Sequence, residues 1–409
     1  MPSKIALLIL GLWLIASALS FSNQGALLVA NDILSGIVLI VLALIALKST
    51  RVWPKWALAL VGVWLQFAPL LFWAPSGLTY LNDTLVGALV IALAVLVNPD
   101  PQEESVPGGA IPPGWSYNPS AWSQRVPIIF LGFFAWMFAR YMACYQLGYL
   151  DTVVDPLFGD GTLKVITSSV SKAFPVADAG LGAMAYTLEM LMAAHGGVRR
   201  WHTIPWFVVL FAILVVPLGF TSIVLIMLQP ILVGYWCFWC LLTAVCMLFM
   251  IALALDEVVA VLQFLHSSKG KKGVFWFGGD SPGSKEESPS KPLHFLTGVS
   301  FPWTLILSAL VGILLMFSPE KLGLSPLISD LNHIYGALIV ALSIISMAEV
   351  ARALRTLNAL LGLFAIVTGF FIPGWPLLLQ IGAGVLLILL SIPKGPIYER
   401  YGSWERVLF

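Results

Sequence analysis

The chain has 409 residues, of which 59% are hydrophobic and 10% charged, and its mean hydropathy is +0.95. Soluble domains carry about 25% charged residues, so a water-facing body of this size is excluded; an all-α polytopic membrane protein fits, because a spanning helix needs about 20 mostly apolar residues. The formal net charge of +1 excludes a strongly basic nucleic-acid binder, and four cysteines are too few for a disulfide scaffold.

Apolar runs predict twelve transmembrane helices, over 5–20, 33–48, 56–73, 83–97, 127–147, 178–195, 205–226, 231–254, 300–317, 331–348, 355–372 and 376–392. The first run follows a lone Lys4 and lacks a small-residue cleavage site, so it reads as a retained helix. Basic residues set the orientation. With a cytoplasmic N-terminus, Lys164, Lys172 and Lys321 fall outside and Arg140 within a helix. The other 17 of the 21 Lys and Arg residues then fall inside. This predicts both termini in the cytoplasm of an integral membrane protein, most simply one of the bacterial cytoplasmic membrane, with the lipid bilayer as its first partner.

Proline- and glycine-rich stretches divide the chain into an N-terminal membrane block (1–98), a cytoplasmic linker (99–126), a central four-helix bundle (127–265), a second linker (266–297) and a C-terminal four-helix block (298–409). Both linkers are expected to be flexible and solvated.

The first block repeats at an offset of 51 residues: Gly11, Trp13 and Leu14 recur as Gly62, Trp64 and Leu65, and Asn31, Asp32, Leu34 and Gly36 recur as Asn82, Asp83, Leu85 and Gly87. Each unit is a helical hairpin. The Asn-Asp pair is expected to cap the second helix, and the glycine to permit close helix contact. Asn332, His333 and Gly336 echo the pattern in the last block. With Trp73-Ala74-Pro75 and Phe301-Pro302-Trp303, the hairpins loosely resemble the SPW-repeat membrane proteins, without the literal Ser-Pro-Trp.

The central block contains Tyr235-Trp236-Cys237-Phe238-Trp239-Cys240, which the predicted topology puts on the outer face. Two cysteines so spaced at a helix start can close a small disulfide, and the helix N-terminus favours the reactive thiolate. Zinc is not expected, because His195, His202, His266 and His294 fall on the opposite side. The bland alternative is two buried cysteines without chemistry. Cys246, nearly two turns on, reads as core.

From about 127 to 255 the sequence resembles the vitamin K epoxide reductases, thiol–quinone oxidoreductases built on a four-helix bundle. Besides the Cys pair, Thr243, Val165-Ile166-Thr167-Ser168, Asp178-Ala179-Gly180-Leu181-Gly182 and Tyr186-Thr187-Leu188 carry the likeness. The resemblance implies that Cys240 faces a quinone and Cys237 exchanges with an incoming thiol. It also implies quinone contacts from Asp178, Phe174, Tyr186, Phe238 and Thr243, with Asp178 standing where the family has asparagine. The family's two loop cysteines would fall near Val154 and on Thr162, and a tyrosine on Ala244, so an internal cysteine relay is lost.

Three further residues are candidates. Arg140 and Glu189 lie at bilayer depth and are expected to face each other, as an ion pair or a proton path. Cys144 is the remaining cysteine near the Cys pair. The loop 148–177, with Asp151, Asp155 and Asp160, reads as a solvated acidic cap and not a calcium loop. Two functions stay open: an enzyme passing electrons from an extracytoplasmic dithiol protein to a quinone, or a non-catalytic scaffold that binds a quinone or similar lipid.

Overall fold

The computed structural model describes residues 2–21, 25–49, 51–97, 106–268, 272–283 and 297–408. Parts of both linkers (98–105, 269–271 and 284–296), with Lys269, Lys271, Lys285, Lys291 and His294, lie outside the described residues.

The protein is 74% helical, with no strand among the described residues. Its main helices are α1 (Pro2–Ser20), α2 (Ala26–Lys48), α3 (Trp53–Leu71), α4 (Gly77–Ala94), α5 (Trp122–Gln146), α6 (Asp178–Ala194), α7 (Pro205–Leu228), α8 (Phe238–Ser267), α9 (Trp303–Phe317), α10 (Pro326–Ile345), α11 (Leu357–Gly369) and α12 (Pro376–Ser391). Among the described residues, nine helical segments are long and apolar enough to cross a membrane, and α9 and α12 are shorter apolar helices. Each predicted span coincides with a helix, although the 17-residue α6 is in neither set, and the protein is an all-α polytopic membrane protein.

The chain divides into two compact units. The first holds residues 1–104, 132–195 and 237–243. In it α1 pairs with α2 and α3 with α4 at glycine crossings. A Cβ added to Gly36 would lie 2.7 Å from the Gly11 carbonyl oxygen, and one added to Gly62 would lie 2.8 Å from that of Gly87. Such notches bring backbones into van der Waals contact where the lipid supplies no hydrophobic drive. The hairpins also interlock, Trp13 Nε1 donating to Asn82 Oδ1 at 2.9 Å and Trp64 Nε1 to Asn31 Oδ1 at 2.7 Å.

The expected Asn-Asp caps do not form. Helices α2 and α4 begin six or seven residues before the predicted starts, after Gly25 and Ser76, so both pairs lie inside helices. Ser76 is the cap of α4, its hydroxyl accepting from the Thr79 amide at 3.2 Å. The apolar stretch before each pair extends the helix, and the polar pair is carried into the interior.

The second unit holds residues 105–131, 196–236 and 244–409. In it α7 packs on α8, where an added Cβ at Gly219 would meet Ile251 and Met247, and α9–α12 form two more hairpins. Glycine crossings recur at Gly312 with Gly336 and at Gly362 with Gly384. Helix α8 starts at Phe238, seven residues later than predicted, because a π turn holding Pro230 and the left-handed Gly234 (φ 75°) precede it.

Residues 106–121 are not the solvated linker expected of them. Ile111, Trp115, Tyr117 and Ser120 are buried, with Tyr117 donating to Asp256 Oδ2 at 2.5 Å and Trp115 Nε1 to Gln263 at 2.7 Å. The aromatic residues between the prolines drive this burial, and burial together with the adjacent Asp256 pushes the Tyr117 phenol well above its usual range.

Candidate functional site

Cys237 and Cys240 form a disulfide at the start of α8. Cys237 is fully buried and Cys240 half-buried, and the Cys240 amide donates to Cys237 Sγ at 3.1 Å. Beside them Met142 of α5 lies with its Sδ 3.8 Å from Cys237 Sγ and 3.6 Å from Cys240 Sγ. Val153, Ile166, Tyr141, Tyr145, Ala179 and Trp239 complete this apolar setting.

A loop lies across the pair. Asp155 Oδ2 accepts from the Thr162 hydroxyl at 2.6 Å, the Thr162 amide at 3.0 Å and the Phe238 amide at 3.3 Å. Its Oδ1 accepts from Leu157 and Phe158. Trp239 Nε1 adds a bond to the Val154 carbonyl at 2.7 Å. Burial alone would push the Asp155 carboxyl up, but these donors outweigh it and hold the group below the ordinary carboxylate value. The loop is therefore fastened to the first residue of α8, and Asp155 is not part of a merely solvated cap. Asp151 and Asp160 are exposed, as expected.

Next to the disulfide is an open cavity of about 570 Å³, lined by Trp73, Tyr145, Gln146, Ile166, Lys172, Phe174 and neighbours. Tyr145 and Ile166 line the cavity and also belong to the disulfide's apolar cluster. Trp73, from the α3–α4 turn, has φ 48°, the sole positive φ among described non-glycine residues. A left-handed backbone at a bulky residue costs energy that the surroundings must supply. Here Tyr149 anchors the turn by donating to the Ala74 carbonyl at 2.5 Å.

The buried disulfide that opens α8, with its fastened loop, lies inside a segment that is similar to a known family. Residues 126–255 match the vitamin K epoxide reductase family. Residues 2–97 match the SPW repeat domain. No curated protein and no solved structure matches the chain.

The other residues expected of a vitamin K epoxide reductase-like site are partly gathered. Asp178 opens α6, and its Oδ1 accepts from Gln146 Nε2 (2.5 Å), Ser171 Oγ (2.9 Å) and the Ala179 amide (2.8 Å). Three donors converge on this one oxygen. Thr243 is buried and donates to the Cys240 carbonyl at 2.8 Å. Phe238 is half-buried with its ring centroid 5.0 Å from that of Trp239. Phe174 is 43% exposed at the cavity, whereas Tyr186 is buried in α6.

Arg140 and Glu189 do not pair. Arg140 donates to the Thr84 hydroxyl at 2.9 Å and lies over the rings of Tyr80 and Trp136, whereas both Glu189 carboxylate oxygens are buried without a hydrogen-bond partner. The α4 face gives Arg140 neutral partners that the sequence did not reveal. Cys144 and Cys246 are free thiols, Cys144 within electrostatic reach of Arg140 and Tyr80.

Sequence reasoning missed Met142, Gln146, Asp155 as a fastener, and Trp73. The spacing of Met142 and Gln146 puts both on one face of α5, and Trp73 belongs to the loose Trp73-Ala74-Pro75 match. Nothing local marks Asp155 off from the other acids of its loop.

Proposed function

We propose that residues 126–255 are the redox core of a membrane thiol–quinone oxidoreductase. The observation that carries this reading is the Cys237–Cys240 disulfide at the start of α8, inside the segment that matches the vitamin K epoxide reductase family. A dithiol donor on an extracytoplasmic partner attacks Cys237, breaking the Cys237–Cys240 bond and freeing Cys240 as a thiolate. The donor's second thiol resolves the mixed disulfide and leaves as the oxidised partner. The Cys237–Cys240 dithiol then gives two electrons and two protons to a quinone, reforming the disulfide and releasing a quinol.

The cavity beside Tyr145 and Ile166 has a size and lining suited to a quinone ring, with Trp73, Tyr145 and Phe174 as aromatic walls and Gln146 as a polar contact. In this reading Asp178 positions Gln146, while Phe238, Thr243 and Tyr186 support the disulfide end. The distribution of Lys and Arg supports a bacterial cytoplasmic membrane with both termini inside and Cys237 facing out. With no cysteine at 154 or 162, the donor reaches Cys237 directly, which requires the Asp155-bound loop to lift.

A scaffold that retains the domain without turnover is the second reading, and the full burial of Cys237 favours it. The test is quinone reduction by purified protein with dithiothreitol, compared with Cys237→Ser and Cys240→Ser. Turnover lost in both variants supports the enzyme. Absence of cysteine-dependent turnover in folded protein supports the scaffold.

A further inference from the structure

Asp32 of α2 and Asp83 of α4 are 1% and 0% exposed, and the Oδ2 atom of each is buried without a hydrogen-bond partner. The Oδ1 atoms accept only from the preceding residue, Asn31 Nδ2 at 3.0 Å and Asn82 Nδ2 at 3.2 Å. The two residues hold equivalent places in the repeated hairpins, each four residues before a crossing glycine. Two carboxylates in an apolar core cannot both stay charged without a cation, because each isolated buried charge costs several kcal/mol or more.

The basic groups on the packed helices are committed elsewhere. Lys4 of α1 donates to the Ala46 carbonyl at 2.6 Å, Lys55 of α3 lies over the Trp56 ring, and Lys48 is in the last turn of α2. Arg140 of α5 is on Thr84 and Tyr80, and Glu189 of α6 offers no positive charge.

The second unit contains an internal control. Asp32 and Asp83 each lie four residues before a crossing glycine, Gly36 and Gly87, and the same register before Gly336 and Gly384 gives Asn332 and Gln380. There Gln380 Nε2 donates to Asn332 Oδ1 at 2.7 Å, closing the pair directly, with Tyr335 bonded to both. An amide can donate to its neighbour. Two carboxylates can only accept, so the N-terminal pair needs a donor that no described residue supplies to the Oδ2 atoms.

We propose that Asp32 and Asp83 form a proton-binding site, in which at least one of the two buried carboxyls retains a proton so that they do not carry two negative charges together. A metal ion fits less well, since no third His, Cys, Asp or Glu joins the two among the described residues and hard cations take about six or more oxygens.

The test is labelling of the detergent-solubilised full chain with dicyclohexylcarbodiimide, which modifies protonated carboxyls in apolar surroundings, read by peptide mass spectrometry. A single adduct on Asp32 or Asp83 is expected, lost as pH rises and indifferent to sodium. In Asp32→Asn the neighbouring carboxylate is gone, so labelling of Asp83 is expected to fade at a lower pH than labelling of the wild-type pair. The variant D32N/D83Q, copying Asn332 and Gln380, is expected to stay monodisperse and take no label. Three results would overturn the proposal: no adduct in folded wild-type protein at acid pH, labelling in D32N with the same pH dependence as in wild type, or protection by sodium, which would assign the site to an alkali cation.

Discussion

Asp155 binds both the hydroxyl and the amide of Thr162 through one carboxylate oxygen, at 2.6 and 3.0 Å, and the same oxygen accepts from Phe238 beside the disulfide. Thr162 is thus part of a hydrogen-bonded fastening. Removing the carboxylate frees the loop without touching sulfur. We expect Asp155→Ala to raise the rate at which dithiothreitol reduces Cys237–Cys240, measured by trapping the thiols with maleimide, while the helical content stays unchanged.

The pH dependence follows from the depressed carboxyl. A group whose folded value lies below the unfolded one stabilises fully above the unfolded value, near 3.8 for aspartate, and that contribution is lost as pH falls through the folded value. The loop should therefore stay fastened at neutral and mildly acid pH. Hydrogen exchange of residues 153–162 is expected to rise only below the ordinary carboxylate range, and this acid-triggered rise should be absent in Asp155→Asn.

Met142 contacts both sulfurs, so its size and its sulfur can be separated. Met142→Leu keeps the volume and should cost less than about 1.5 kcal/mol. Met142→Ala should cost about 2–5 kcal/mol by leaving a cavity against the disulfide. Thermal unfolding in detergent checks both. Equal redox turnover in wild type and Met142→Leu would show that Met142 acts through packing.

The glycine crossings predict a contrast within one chemistry. At Gly36 an added Cβ lies 2.7 Å from a backbone oxygen, whereas at Gly382 it meets nothing within 4 Å. Gly36→Ala should destabilise by about 1–3 kcal/mol through forced separation of α1 and α2. Gly382→Ala should be neutral or slightly stabilising, since a helical glycine is replaced by a better helix former. Melting temperatures of the two variants decide it.

In the second unit Arg200 and Glu257 form a buried, two-point ion pair, Nε to Oε1 at 2.7 Å and Nη2 to Oε2 at 2.6 Å. Glu257→Ala strands the guanidinium and should cost about 3–5 kcal/mol. Arg200→Met with Glu257→Met together should recover most of that loss, as read by a double-mutant cycle on thermal unfolding.

What the sequence disclosed and what it hid follow from the range of the interactions. Helices and the 51-residue repeat are local or periodic, so the apolar runs and recurring glycines revealed them. The Cys pair was legible because its spacing is itself the geometry. Asn31-Asp32 misled because a polar pair inside an apolar run looks like a helix start, when the residues ahead of it were already helical. The likeness of the last block was nearly invisible because amides replace the acids while only the glycine crossings persist. Asp155 with Phe238, 83 residues away, and Met142 with Cys240, 98 residues away, meet only once the chain is folded.

The crossed bonds from Trp13 to Asn82 and from Trp64 to Asn31 bear on how the protein is made. Each hairpin supplies what the other needs, so neither is finished alone. During synthesis the first must wait in the bilayer, its asparagine still seeking an indole, until the ribosome has delivered the second. Assembly of this block is therefore a joining of two halves after insertion, and a stop between them would leave a hairpin open to pairing with that of another copy.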